Sequence, residues 1–404
     1  MTESPILRAP RPKGDLHTET QVVSMGPSHP ATHGTVKIML EIDGEEIVEM
    51  DVQVGYLHRG FEKECESGEY YQAIPYTDRL NYASPIINNV GFCLAAEKLF
   101  GVTAPIRAQY LRTLACEISR MADHFTCIGA SALELAALTP FLYCVQAREQ
   151  IWDLHESLCG ARVTTNYVRI GGLQSDLQPG FPELCRSKVA HALALFADVD
   201  HLLTENPIFR ERMEGTGTLP KETLIAYGVS GPLLRAAGVA HDIRRAEPYL
   251  VYDRLEFDVP VGTTGDNYDR YLVRVEELRQ SARIIEQALR DLPDGPVDLD
   301  DPRFRWPAKG KVFNRMEELI DQFKLVTEGM RPPAGEVYQA VEGANGELGF
   351  YLVSNGTGKP YKCRCRAPSF SNTHALRDMI RGALLADVIP TFDMVNMIGG
   401  ECDR

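Results

Sequence analysis

Three helices in succession, with almost nothing between them, constrain this chain more than any other feature. Apolar periodicity predicts helices over residues 85–100, 105–138 and 141–159, separated only by Gly101-Val102-Thr103 and Thr139-Pro140. Connectors that short make neighbouring helices pack roughly antiparallel, as in a bundle. On the middle helix Leu114, Ile118, Met121, Phe125, Ile128, Ala132 and Leu135 form an apolar row that should face the bundle. Beside it Glu117, Arg120, His124, Cys127, Ser131 and Glu134 recur at alternating steps of three and four, so all six share one stripe. Such a stripe is ordinarily the wet side of an amphipathic helix. The flanking helices, however, are apolar on several sides, which admits burial of part of it. A buried carboxylate beside His and Arg is how proton-handling sites are built, because burial and neighbours move each pKa toward the working pH.

Around this bundle the signals are mixed. Gln21–Met25 reads as a short strand. Val36, Ile38, Leu40 and Ile42 alternate up to Asp43-Gly44, and Val48, Met50, Val52 and Val54 alternate beyond it, a hairpin. A three-residue Asp43-Gly44-Glu45 turn would oppose Leu40 to Val48 and Ile38 to Met50. Further helices are predicted over 182–203, 269–292 and 312–328, with mostly loop over 215–265 and an acidic, Pro-rich linker over 291–307. A second hairpin, 336–341 against 349–353 across Asn345-Gly346, precedes a strand over 362–367 and a closing helix near 373–387. The class is α+β, a central long-helix bundle with small antiparallel β-sheets at the N- and C-terminal regions. The expected organisation is an N-terminal arm (1–20), an N-terminal β region (21–84), a helical core (85–292) and a C-terminal α+β region (293–404).

Several function classes fall away. A formal charge of −14 repels phosphate backbones, so nucleic acid is not expected as a partner. The first 20 residues lack the continuous apolar stretch of a secretory signal. The greasy stretch 130–145 is broken by Glu134, Thr139 and Pro140 and falls short of a membrane span. None of the 10 cysteines forms a CxxC pair, and the expectation is reduced, mostly buried thiols with Cys363 and Cys365 on one face of a strand. GxGxxG, GxxxxGK[ST] and GxSxG are absent from the sequence, so no nucleotide site or serine nucleophile is expected.

Two loops concentrate useful side chains. In residues 26–34 (GPSHPATHG), His29 and His33 are four apart, but Pro30 pushes His29 out of the α region, against a helical metal pair. The loop either presents an imidazole rigidly at a strand end or uses its histidines to stabilise the turn. Residues 74–82 (IPYTDRLNY) place Tyr76 and Tyr82 just before a helix. A tyrosine hydroxyl can hydrogen-bond a carbonyl oxygen and donate a proton once that oxygen turns basic on reduction, although a packed core tyrosine is the default alternative.

Read together, MGPSHPATHGT (25–35), GYLHRGFEK (55–63), PYTDRLNY (75–82), ALTPF (137–141), NYVRIGGL (166–173), PKETLIAYGVSGPLLRAAG (220–238) and RAPSF (366–370) strongly resemble one family. It is the large quinone-site subunit of respiratory complex I, the D subunit of NADH-quinone oxidoreductase, related to nickel–iron hydrogenase large subunits; the likeness runs from about Val22 to Arg404. The resemblance implies a hydrogenase-large-subunit-like fold. Where hydrogenases hold their metal pair with two CxxC motifs, this chain has Asn81, Ser84, Ile398 and Glu401, so the resemblance implies no metal, and the vacated cavity becomes the quinone head-group pocket. It further implies that Tyr82 and His33 hydrogen-bond the two quinone carbonyls, that Glu134 partners the histidine where the family usually has Asp, and that Arg59 faces the electron-donating cluster. The substrate would be ubiquinone or menaquinone, with no NAD, FMN or iron–sulfur site in this chain. FMN and the clusters would lie in partner subunits: among the partners are the terminal-cluster subunit, the small hydrophilic C subunit and the quinone-channel membrane subunit. The complex would place the chain peripherally on the cytoplasmic side of a bacterial inner membrane. Alternatives are the large subunit of a membrane-bound hydrogenase or ferredoxin-linked dehydrogenase, and a non-catalytic scaffold.

Overall fold

A computed structural model describes residues 19–404, so the expected arm lies outside the described residues except for its last two. Strands β1 (Gln21–Met25), β2 (Lys37–Asp43) and β3 (Glu46–Gln53) form an antiparallel sheet in that order. Its hairpin register departs from the expected one: Asp43 pairs with Glu46, Leu40 with Met50 and Ile38 with Val52. Gly44, at φ 63°, allows a tighter, two-residue turn. An extra residue in β3, Val48, then restores the apolar face, so that Ile47 and Met50 are both buried although three apart.

Two short helices, α1 (Phe61–Ser67) and α2 (Tyr70–Thr77), lead into α3 (Pro85–Phe100), α4 (Ile106–Glu134) and α5 (Leu138–Cys159). Pro85 starts α3, where its missing N–H costs nothing, and Gly101 ends it in the left-handed conformation. The break between α4 and α5 falls earlier than the sequence predicts, at 135–137, because Thr139 and Pro140 fit the first turn of α5. A β4 (Val168–Arg169) and β5 (Gly172–Leu173) ribbon follows, then α6 (Phe181–Leu203) and α7 (Pro207–Met213). The 215–265 stretch carries three short helices, α8 (Lys221–Tyr227), α9 (Pro232–Ala236) and α10 (Ile243–Ala246), before α11 (Asn267–Arg290). Where one helix is expected over 312–328 there are two, α12 (Lys309–Val312) and α13 (Met316–Thr327).

The second sheet runs β6 (Gly335–Gly343), β7 (Gly346–Ser354), β8 (Lys362–Arg366), all antiparallel. Gly343 pairs with Gly346, so Ala344 and Asn345 occupy the turn in place of the expected Asn345-Gly346. Asn345 is buried there and bonded to Asn396, a tertiary contact that overrides turn preference. Cys363 and Cys365 are both buried on the inner face of β8, and the ten cysteines are free thiols. In place of a single closing helix the chain ends in α14 (Pro368–Ile380), α15 (Val388–Val395) and α16 (Gly399–Asp403). Helix α4 packs against α3, α5, α11 and α15 at the centre. A second core joins Val36, Ile38 and Leu40 to Leu233, Leu376 and Phe392, so the first and last segments share one apolar interior.

The polar stripe of α4 is the largest departure from its ordinary reading. Glu117, Arg120, His124, Cys127 and Ser131 are all buried, and only Glu134, at the helix end, is partly exposed. Charges can be buried at this depth because neighbouring elements supply counter-charges. Glu117 meets Arg120 at 3.3 Å and Arg244 at 3.2 Å and accepts from the Tyr252 hydroxyl at 2.6 Å and Ser281 Oγ at 2.7 Å. Arg120 donates to the carbonyl oxygens of Glu342 and Gly343, His124 Nε2 lies 2.7 Å from Glu277, and Arg235 bridges Glu277 (2.6 Å) and Glu342 (2.7 Å). Burial raises the Glu277 carboxyl, but Arg235 and then His124 overcome it and hold the group well below its ordinary value.

Arg235→Met leaves Glu277 and Glu342 buried without their cation, and the expected loss is roughly 3–5 kcal/mol. Arg186→Met, at an exposed pair with Glu286, should leave the midpoint almost unchanged, because solvent screens the pair. Denaturant midpoints of the purified chain compare the two; equal losses would contradict the buried network as the main electrostatic support.

Candidate functional site

His33 is presented by a single tight turn. Residues Pro30–Thr32 form one turn of 3-10 helix, capped by His29, whose Nδ1 accepts from the Ala31 N–H at 3.2 Å. Thr32 Oγ1 donates to the carbonyls of Pro27 and His29, and Thr35 Oγ1 to that of Thr32. His29 therefore stabilises the turn, and His33 follows in the left-handed conformation, φ 52°, with its side chain exposed. Among the described residues no cluster of three or more His, Cys, Asp or Glu side chains is arranged to hold a metal ion.

Tyr82 is placed by the residues around it. Asn81 Nδ2 and Ser84 Oγ each donate to Asp123 Oδ2 at 2.7 Å, and Asn396 Nδ2 donates to Asp123 Oδ1 at 2.9 Å. Three neutral donors thus surround one buried carboxylate on α4 and fix the loop before α3 to α4 and to the end of α15. The Asn88 side chain adds a bond to the Asn81 carbonyl. Tyr82, 40% exposed, projects from this anchored loop. Desolvation by the surrounding walls holds its phenol above the ordinary value, Arg59 pulls the other way, and the Asp123 charge adds to the rise.

The C-terminus clamps the neighbouring loop. Asp403 accepts from the N–H groups of Gly55 (2.9 Å) and Leu57 (2.7 Å), and His58 Nδ1 meets the Asp403 carbonyl. Arg59, exposed, donates to the Arg79 carbonyl at 2.7 Å and lies close enough to Tyr82 to act on its phenol. Gly400 allows this approach: a Cβ there would sit 2.5 Å from the Arg79 carbonyl oxygen. Glu401 is buried beside Ser369, and burial, helped by the Asp123 charge, raises its carboxyl to about 7.

His33 and Tyr82 line one cavity of about 290 Å³. Its other walls include Arg148, Trp152, Phe392 and Asp393, with the Arg148 guanidinium 4.1 Å from the centre of the Trp152 ring. Apolar walls with a few convergent polar groups suit a flat ring bearing polar substituents. Glu134 does not line it; no hydrogen bond joins Glu134 to His33, and its charge acts on Asp393. Asp393, Arg148 and Trp152 carry no motif in the sequence; only folding α5 and α15 against α4 gathers them. A larger cavity, about 600 Å³, lies elsewhere among Tyr71, Tyr76, Arg169, Phe304 and Trp306; Tyr76 of the 74–82 motif lines it, but His33, Tyr82, Arg59 and Glu134 do not. The His33–Tyr82 cavity is the better candidate, since chemistry-bearing groups converge there.

Residues 134–404 match the model of the family described as respiratory-chain NADH dehydrogenase, 49 Kd subunit. A D subunit of the NADH-quinone oxidoreductase of Sorangium cellulosum is 53% identical over 391 residues, covering 96% of this chain and 97% of that protein. The D subunits of the same enzyme in Myxococcus xanthus (51% identical, 96% of this chain and 94% of that one) and Pelobacter propionicus (47%, 95% and 95%) are similar over comparable lengths.

A carboxyl raised from about 4.5 unfolded to about 7 folded adds stability that is complete below pH ~4.5 and is lost as pH rises through ~7. Unfolding free energies from urea titrations at pH 5 and pH 8 should therefore differ less in Glu401→Gln than in the unaltered chain, by up to about 3 kcal/mol. An unchanged difference would contradict the assignment.

Proposed function

Because this chain belongs to the 49 kDa subunit family of respiratory-chain NADH dehydrogenase, we propose that it is the quinone-binding subunit of a proton-translocating NADH:quinone oxidoreductase. The observation carrying this reading is that His33 and Tyr82, distant in sequence, reach the wall of the same cavity. The fold is hydrogenase-large-subunit-like. At the positions that hold cysteine in hydrogenases, Asn81 and Ser84 direct their donors to Asp123, which speaks against a hydrogenase reading. An amide and a hydroxyl used in this way do not replace thiolates as soft metal ligands.

Electrons arrive from the terminal iron–sulfur cluster of a partner subunit, and ubiquinone or menaquinone accepts them. The Tyr82 phenol donates a hydrogen bond to one quinone carbonyl and the His33 imidazole to the other. A phenol held above its ordinary pKa stays protonated through substrate binding, and transfers its proton only when the carbonyl oxygen turns basic on reduction. Arg59, beside Tyr82, favours the negative charge that develops as electrons arrive. Loss of protons changes the charge around His33 and Glu134, and that change is the trigger passed to the proton-translocating membrane subunits. Among the described residues no helix is long and apolar enough to cross a membrane. Membrane contact on the cytoplasmic side is therefore assigned to partners, with the terminal-cluster subunit, the small hydrophilic C subunit and the quinone-channel membrane subunit as neighbours.

In the assembled complex Tyr82→Phe should lower the kcat/KM of quinone-dependent NADH oxidation by about a hundredfold or more, the lower end of general-acid effects. NADH:ferricyanide activity, which draws electrons before the quinone, should stay intact. Full quinone reductase activity in this variant would sink the tyrosine assignment.

A further inference from the structure

Two buried carboxyl groups lie near the cavity, and their surroundings are opposite. Asp123 is met by three donors. Asp393 lines the cavity, is 7% exposed, and its Oδ2 is buried with no hydrogen-bond partner. The backbone around it is firmly set: the Asp393 carbonyl accepts from the Asn396 N–H at 2.9 Å and from Cys127 Sγ at 3.6 Å, which ties α15 to α4. A buried carboxylate with no donors is costly, and such a group relieves the cost by holding a proton. Burial first, and then the charge of Glu134, raises the Asp393 carboxyl well above the carboxylate range. The carboxyl thus favours its protonated form at the edge of the cavity, with one oxygen buried and unpartnered.

We propose that Asp393 is a further catalytic residue of this cavity, a proton donor that hydrogen-bonds a quinone carbonyl oxygen and protonates it on reduction. The inference rests on the quinone-site reading above. The ring takes two electrons in sequence from the partner's iron–sulfur centre, and its two oxygens take two protons. One comes from Asp393, whose O–H bond breaks as a quinol O–H forms; the other comes from Tyr82 or His33. Asp393 is left as a carboxylate under the negative charge of Glu134, and this repulsion drives its reprotonation. Glu134, partly exposed at the end of α4, is the positioning residue that sets this drive and faces the water from which the proton returns.

Of the charged groups around Asp393 only Glu134 acts on it directly; the titratable and charged groups on the elements packed against α15 are the following. Asp123, Cys127 and Glu134 lie on α4, and Arg270 and Arg274 lie on α11, with Arg274 reaching the Met394 sulfur at 4.0 Å. Arg148, Tyr82 and His33 stand on the cavity walls. Asp387, before α15, is engaged by Arg212, and the charged groups of α14 are turned toward Glu49 and Tyr227.

The test uses the assembled complex, NADH and a water-soluble short-chain quinone, from pH 6 to pH 9, with NADH:ferricyanide activity as the control for assembly. D393N should lower kcat by about a hundredfold or more with KM little changed, and should abolish the alkaline fall in kcat that accompanies deprotonation of Asp393. E134Q removes the like charge, so the alkaline limb should move to lower pH, a shift that a purely structural role would not produce. D393S, smaller and without a titratable group, decides by the same readouts if D393N does not assemble. Unaltered kcat and pH profile in the Asp393 variants overturn the proposal. If Tyr82→Phe slows quinone reduction in that case, only Asp393 is misassigned; if it too is without effect, the quinone reading of the cavity fails with it.

Discussion

A guanidinium held between two carboxylates, Arg235 between Glu277 and Glu342, is the contact on which the rest of the molecule depends. It joins α9, α11 and β6, elements far apart in the chain, around the buried polar face of α4. Desolvating so many charges is favourable only if each finds its partner. The requirement therefore fixes which side of α4 turns toward α11 and the second sheet. Once that orientation is set, Asp123, one residue before the His124 that meets Glu277, must point toward the loop carrying Asn81 and Ser84.

This geometry makes the cavity. The Asp123 cluster holds the Tyr82 loop to α4 and to Asn396, while Asp403 and Gly400 hold the neighbouring loop and Arg59 against the same region. The N-terminal sheet, which shares its core with α14 and α15, brings the His33 turn to the remaining side. Two kinds of polar chemistry result. Inside the scaffold, Glu117, Asp123 and Glu277 are matched by several donors each; on the cavity wall, Tyr82, His33 and Asp393 are left with bonding capacity that a ligand can use.

Much of this was legible in the sequence wherever a local rule dominates. Pro85 and Gly101 bound α3 at the residues the pattern predicts, and β1 occupies its predicted span. His33 and Tyr82 stand out because each sits in a dense motif, and the resemblance to a known family gave them a common purpose. What was not legible depends on distant partners. The period of α4 places Glu117 to Glu134 on one stripe but cannot say that α10 and α11 cover it. The first hairpin slips because a bulge at Val48 cannot be distinguished from continued alternation. Asp393 escapes notice because α15 is eight residues long with Pro390 inside it, too short for a clear period.

The central claim, that this buried ionic scaffold exists to present His33 and Tyr82 to a quinone head group, is tested most directly by electron cryomicroscopy of the assembled complex with a short-chain quinone bound. The ring is expected in the cavity bounded by Trp152 and Phe392, with one carbonyl oxygen about 2.6–3.2 Å from the Tyr82 hydroxyl and the other within similar reach of the His33 imidazole. A ring bound instead in the larger cavity near Tyr71 and Trp306, with the His33–Tyr82 cavity filled by solvent, would contradict it.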